Sequence, residues 1–152
     1  MKFYIDTKTA ALIYQSMILP ILTFCPFTTY GSSPQYIKDN TTALENRAER
    51  IIGGNFRVRS SDNKKCERVC SFVHQCLYGN VCDVFNNYFH LKNTRVATRN
   101  NGSMVDIPRI RLEVARASFY YQGASIFNKL PIELRKEKSH SKFMKSVKKF
   151  SF

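Results

Sequence analysis

The chain has 152 residues, 43% of them apolar, and a formal net charge of +13. That length suits one domain with a modest core, and no apolar run approaches the roughly 20 residues that span a bilayer. Five cysteines, an odd number, fit a reduced intracellular setting, cytoplasmic or nuclear, better than a disulfide scaffold.

The charge is unevenly spread. Residues 1–91 hold ten Lys/Arg against seven Asp/Glu, and residues 92–152 hold fourteen against four. A basic excess gathered in one part of a chain is the electrostatic footprint of a polyanion-binding protein. The plainer reading is a solvated surface that aids solubility. The shift at Lys92 also divides the chain into a helical part (1–91) and a basic tail module (92–152).

The pattern of residues along 1–91 is helical. Tyr14, Met17, Ile18, Ile21 and Leu22 follow the spacing of one buried helical face, with Pro20 inside the run to kink or split it. The most apolar segment, AALIYQSMILPILTFCPF, begins late and lacks a small-residue cleavage site, so it does not read as a signal peptide. Ser33-Pro34 is a helix start. Ile37, Thr41, Leu44, Ala48, Ile51 and Ile52 form the next stripe, which Gly53-Gly54 ends. A third helix begins at Ser61 or Asp62, places Cys66, Val69, Cys70, Val73, Cys76 and Leu77 on one face, and closes at Gly79. A short fourth helix, 81–89, buries Val84, Phe85 and Tyr88.

Beyond Lys92 the character changes. NTRVATRNNGS reads as a loop or edge segment. Val105, Ile107, Ile110 and Leu112 alternate like short strands, and so do Ala117, Phe119 and Tyr121, giving a strand over 115–121 with Gly123 as its stop. Ser125 to Leu130 makes one helical turn. Last comes a basic amphipathic helix with Phe143, Val147 and Phe150 on one side. The fold class is therefore mainly α: a small helical bundle, a short strand and loop segment, and a C-terminal basic helix.

No set of residues here carries catalysis. Cys66, Cys70, His74, Cys76 and Cys82 fall close together, but a structural zinc site draws four ligands to one point, usually from separate elements. Three of these cysteines instead share the apolar face of one helix, where free cysteine behaves as a small hydrophobe. The three histidines are scattered, there is no Gly-rich phosphate loop, and no two acidic residues are adjacent. Neither a metal nor a cofactor is expected. Binding remains. Arg47, Arg50, Arg95, Arg99, Arg109, Arg111, Arg116, Lys145, Lys148 and Lys149 are candidates for phosphate contacts. Tyr120, facing away from Phe119 and Tyr121 on the expected strand, is the candidate for stacking on a base.

Four segments also resemble, in order, the C-terminal region of the reverse transcriptases of non-LTR retrotransposons of the jockey-like LINE type. YQSMILPILTFC is similar to the family's apolar segment with a central L-P. LENRAERIIGG resembles its L-Q-x-x-A-x-R-I-I helix. TRVATRNNGSMVDIPRIRLEVARASFYYQGASIFNKLPIELR resembles its run of T-R-N, L-P-R-x-R and S-F-x-x-x-G-A-x-x-W-N-x-L-P-x-x-L-R, and SHSKFMKSVKKF its closing S-x-x-x-F-K-x-x-L-K helix. Phe127 stands where the family has Trp, and the cysteines of the third helix replace its usual Leu and Ile. The resemblance implies a thumb over about residues 7–90 and a tail module, which hold an RNA/DNA hybrid or other nucleic acid through sequence-independent backbone contacts. Fingers and palm, with the catalytic aspartates, are absent, so the chain is not expected to polymerise. The absent domains are themselves possible partners. The competing expectations are a protein-interaction module exposing an apolar face around Tyr14 to Leu22, and a retrotransposon relic.

Overall fold

The computed structural model describes residues 5–25, 33–53, 61–79, 81–92 and 103–150. Helix α1 (Thr7–Ile13) runs through a π-helical turn (Tyr14–Ile18) into α2 (Leu19–Leu22). It is followed by α3 (Gln35–Ile52), α4 (Ser61–Tyr78), α5 (Asp83–Asn86), α6 (Glu113–Arg116), α7 (Phe119–Asn128), α8 (Ile132–Lys136) and α9 (His140–Val147). The fold is mainly α, with no strand among the described residues.

Pro20 does not split the first helix, which runs on through it from Thr7 to Leu22. It has no amide hydrogen, and its ring crowds the carbonyl one α turn back. The preceding turn widens instead, and the Leu19 N–H reaches Tyr14 O, five residues earlier. That turn holds one residue more than an α turn, so the helical face shifts phase across it. Burial falls on Tyr14, Leu19 and Thr23, while Met17, Ile18 and Ile21 of the expected stripe are exposed.

In α3 the stripe also differs from expectation. Leu44 and Ile51 are exposed, and the buried side chain is Glu45. Its carboxylate accepts the Ser61 N–H at 2.7 Å, capping from another helix one of the donors that α4 leaves open in its first turn. Pro34 is the cap residue of α3, one position ahead of the helix rather than its first residue. Gly53 ends α3 at φ +70, its N–H bonded to Glu49 O at 2.9 Å, a conformation that favours glycine.

Helix α4 is the centre of the core. Cys66, Val69, Cys70, Val73 and Cys76 are buried against Phe89, Val105, Ala124, Ile126, Phe127, Leu130, Phe143 and Val147. One core therefore takes residues from both sides of position 92, and the composition shift there is not a packing boundary. Helix α5 is shorter than the expected 81–89. The chain leaves helical geometry at Asn87, which exposes Val84 and carries Phe89 into the core.

The expected strand over 115–121 is helix. Glu113–Arg116 and Phe119–Asn128 are α-helical, and the Ser118 hydroxyl accepts the Tyr121 N–H at the start of α7. Phe119, Gly123, Ile126, Phe127 and Leu130 share a helical face, and this period governs, not the alternation at 117, 119 and 121. Gly123 is not a stop but a mid-helix contact. A Cβ there would lie 3.2 Å from Phe89 and 3.3 Å from Val73, so glycine lets α7 approach α4 closely. Ser125 to Leu130 continues the same helix to Asn128.

The expected strands at 105–112 reduce to one antiparallel bridge, Leu91 to Val105. Lys92 N–H bonds to Met104 O at 2.7 Å and Asp106 N–H to His90 O at 2.8 Å. Val105's own N–H and C=O then point away from this partner, where a third strand would lie in a sheet. The Asn128 amide takes that place: its Oδ1 accepts Val105 N–H at 2.8 Å and its Nδ2 donates to Val105 O at 2.9 Å.

Candidate nucleic-acid interface

Helix α4 has a second, polar face. Lys64, Glu67, Arg68, Ser71 and Gln75 recur at helical spacing opposite Val69 and Val73, and with Phe72 they form one side of a groove of about 570 Å³. Met144 and Lys148, from α9 and the residue after it, form the other. Three cations, Lys64, Arg68 and Lys148, thus line the groove together with one carboxylate, Glu67. The Arg68 guanidinium also donates to Thr23 O at 2.8 Å, tying the end of α2 to α4. This lining offers positive charge to an anion over an apolar floor, the arrangement that phosphate recognition uses.

The α9 wall is held to α4 by aromatic and polar contacts. His74, buried on α4, stacks on Phe143 with ring centroids 4.2 Å apart. Its Nε2 lies 2.7 Å from Glu137 O, and Tyr78 Oη donates to Arg135 O at 3.2 Å. Residues one α4 turn apart therefore hold the last carbonyls of α8. Burial lowers the pKa of His74, and nearby His140 lowers it further, against the raising effects of the bond to Glu137 O and of the Glu137 carboxylate.

The residues expected to bind are dispersed. Lys148 lines the groove. Lys145 and Lys149 are exposed on and just after α9, Arg47 and Arg50 are exposed on α3, and Arg109 and Arg111 are exposed in the extended segment before α6. Arg116 is paired with Glu113 at 3.3 Å. Arg95 and Arg99 lie outside the described residues. Tyr120 does not face away from the core: its ring meets Tyr88 at 5.4 Å and Phe89 at 5.5 Å, and it packs half-buried against the core. The helix that replaces the strand removes the reason for choosing it as a stacking platform. Lys64 and Arg68 were not anticipated, although their spacing of four, then three and four to Ser71 and Gln75, marks a polar stripe.

Cys66, Cys70 and Cys76 sit in the core as small apolar groups. Burial, then the neighbouring Cys66 and Glu67, push the Cys70 thiol well up, and burial raises Cys76. Both favour the protonated, unreactive form. Among the described residues no three His, Cys, Asp or Glu side chains converge on a point that would hold a metal ion, and no helix is long and apolar enough to cross a membrane.

A second surface is apolar. Ile5, Ala10, Ile13, Tyr14 and Ile18 face Ala48, Ile51 and Ile52 across a cleft of about 250 Å³. Leu12, Met17, Ile21, Phe24 and Leu44 are exposed on the same helices or just beyond α2. Comparison with protein families, curated proteins and solved structures gives no match to this chain.

Proposed function

We propose that this chain is a nucleic-acid-holding C-terminal portion of a non-LTR retrotransposon reverse transcriptase, working inside the cell and not catalytic by itself. The ordered resemblance of its four segments supports the family, and the concentration of basic residues after position 92 supports the ligand. The observation that carries the binding reading is the groove flanked by Lys64, Arg68 and Lys148. Its ligand is the sugar-phosphate backbone of an RNA/DNA hybrid, held without regard to sequence.

Fluorescence anisotropy with a short hybrid tests this. Three phosphates neutralised by the groove give a logarithmic salt slope of about −2.7, and hence roughly a 40-fold loss of affinity between 50 and 200 mM salt. The double variant Lys64→Ala/Lys148→Ala is expected to flatten the slope by about two. Arg109→Ala/Arg111→Ala, on an exposed segment, should weaken binding to all sequences alike. A wild-type slope near zero overturns the reading.

The exposed apolar surface of α1, α2 and α3 favours a second reading, a protein-interaction module. Association of the chain that persists in high salt, read by analytical ultracentrifugation, would favour it. A monomer throughout counts against self-association.

A further inference from the structure

The contacts of His140 give the groove a chemistry that its fixed charges do not show. A carbonyl oxygen only accepts, so His74 Nε2 must carry the hydrogen that bonds to Glu137 O. Neutral His74 then presents a lone pair at Nδ1. His140 Nδ1 lies 3.4 Å from it and must be the donor. The remaining His140 nitrogen, Nε2, is therefore an acceptor in the neutral pair. It faces Ser71 Oγ at 3.4 Å and Gln75 Nε2 at 3.5 Å, and both of those residues line the groove.

We propose that His140 is a proton-gated cation of this groove, so that the affinity for a phosphate backbone rises on acidification. A proton added at His140 Nε2 keeps the bond to His74 intact and turns the contact with Ser71 around, since a hydroxyl accepts as readily as it donates. Gln75 is exposed and accommodates the change by turning its amide oxygen inward. The new charge stands against Ser71 and Gln75, two residues of the groove lining. A second proton is resisted: on His74 Nδ1 it would aim two N–H groups at each other in a buried place. The pair therefore takes up one proton and directs it to the groove side.

The charged and titratable groups on the surrounding elements are Asp62, Lys64, Lys65, Glu67, Arg68, His74 and Tyr78 on α4, Glu133, Arg135 and Lys136 on α8, Glu137 and Lys138 between α8 and α9, and Lys142, Lys145 and Lys148 at α9. Most are cations whose charge does not change between pH 5 and 8. Histidine is the side chain suited to switch in that window. Phosphodiesters stay ionised throughout it, so a change in affinity reports on the protein.

This inference rests on the nucleic-acid reading of the groove. Binding of a hydroxyl-ended RNA/DNA hybrid is measured at pH 7.5 and pH 5.5, with circular dichroism confirming the fold at each. The wild type is expected to bind about three- to tenfold tighter at pH 5.5, within the one pKa unit that a tenfold change represents. Its salt slope should steepen by about 0.9, one more phosphate neutralised. His140→Gln should lose the gain, and His90→Gln should retain it. A titration of the His140 ring by NMR, which needs no variant, should show its midpoint moving up when the hybrid is added. Equal wild-type affinity at both pH values, or an unmoved midpoint, overturns the inference and leaves the groove reading standing. No binding at either pH overturns both.

Discussion

Replacing Asn128 by Asp changes one atom in the amide that satisfies Val105. Oδ1 can still accept the Val105 N–H at 2.8 Å. The other oxygen then faces Val105 O, where the amide nitrogen had donated at 2.9 Å. Val105 is only 1% exposed, so water cannot replace the lost donor. An unsatisfied buried carbonyl costs about 1–3 kcal/mol, and two facing oxygens add to that. The expected loss for Asn128→Asp at pH 7 is about 2–3 kcal/mol, or a fall of roughly 1 M in the urea midpoint for a slope near 2 kcal/mol/M. Acid should reverse it. A protonated carboxyl can donate to Val105 O, so the folded variant holds its proton more tightly than the unfolded chain does. The sign follows: relative to wild type, the variant gains stability as pH falls through the folded carboxyl's pKa and loses it as pH rises. Urea unfolding of both proteins at pH 7 and pH 4 tests this. A deficit below about 0.5 kcal/mol, or one that does not shrink at pH 4, would refute the view that Asn128 stands in for a strand.

Three further outcomes follow from the packing. Gly123→Val, which forces branched carbons against Phe89 and Val73, should cost about 2–3 kcal/mol in chemical denaturation. Glu45→Ala leaves the Ser61 N–H without its 2.7 Å acceptor and should cost about 1–2 kcal/mol, with faster amide exchange in the first turn of α4. His74 has its pKa lowered, chiefly by burial. Its stabilising contribution is therefore present above the unfolded histidine value near 6.5 and is lost as pH falls below that towards the folded value. Stability measured from pH 7.5 to 5 should decline more steeply for the wild type than for His74→Gln.

Much of the helical half was legible because its signals are local. Ser61 and Gly53 mark helix ends through backbone chemistry, and the Cys66-to-Cys76 face has the helical period without interruption. Phe143 and Val147 are buried as their spacing required. Where the period breaks, the reading fails. One extra residue in the π turn shifts the face of α1, and the chain's departure from helix at Asn87 replaces Tyr88 with Phe89 in the core. At 115–121 two periods compete over too few residues to separate, and only α4 and Phe89, packed against Gly123, decide for helix. The groove was partly legible. Lys148 was among the expected contacts, whereas Lys64 and Arg68 lie in the first half, where acidic residues nearly balance the basic ones and composition marks no basic patch. The His74–His140 pair could not be read at all, since 66 positions separate its members.

The widened turn at Tyr14–Ile18 also bears on how this helix tolerates changes in length. Tyr14 and Leu19 face the same way only because five residues are wound into one turn. Deleting one residue between them would leave a spacing of four, which an ordinary α turn aligns equally well. The obstacle is Pro20, which cannot follow a regular turn without a clash and a missing bond. Length and proline are thus tied together. Sequences descended from a common ancestor with this one should have both the extra residue and the proline, or neither. A comparable deletion in α4 has no such escape, because it would rotate half of the buried face by about 100° away from the core.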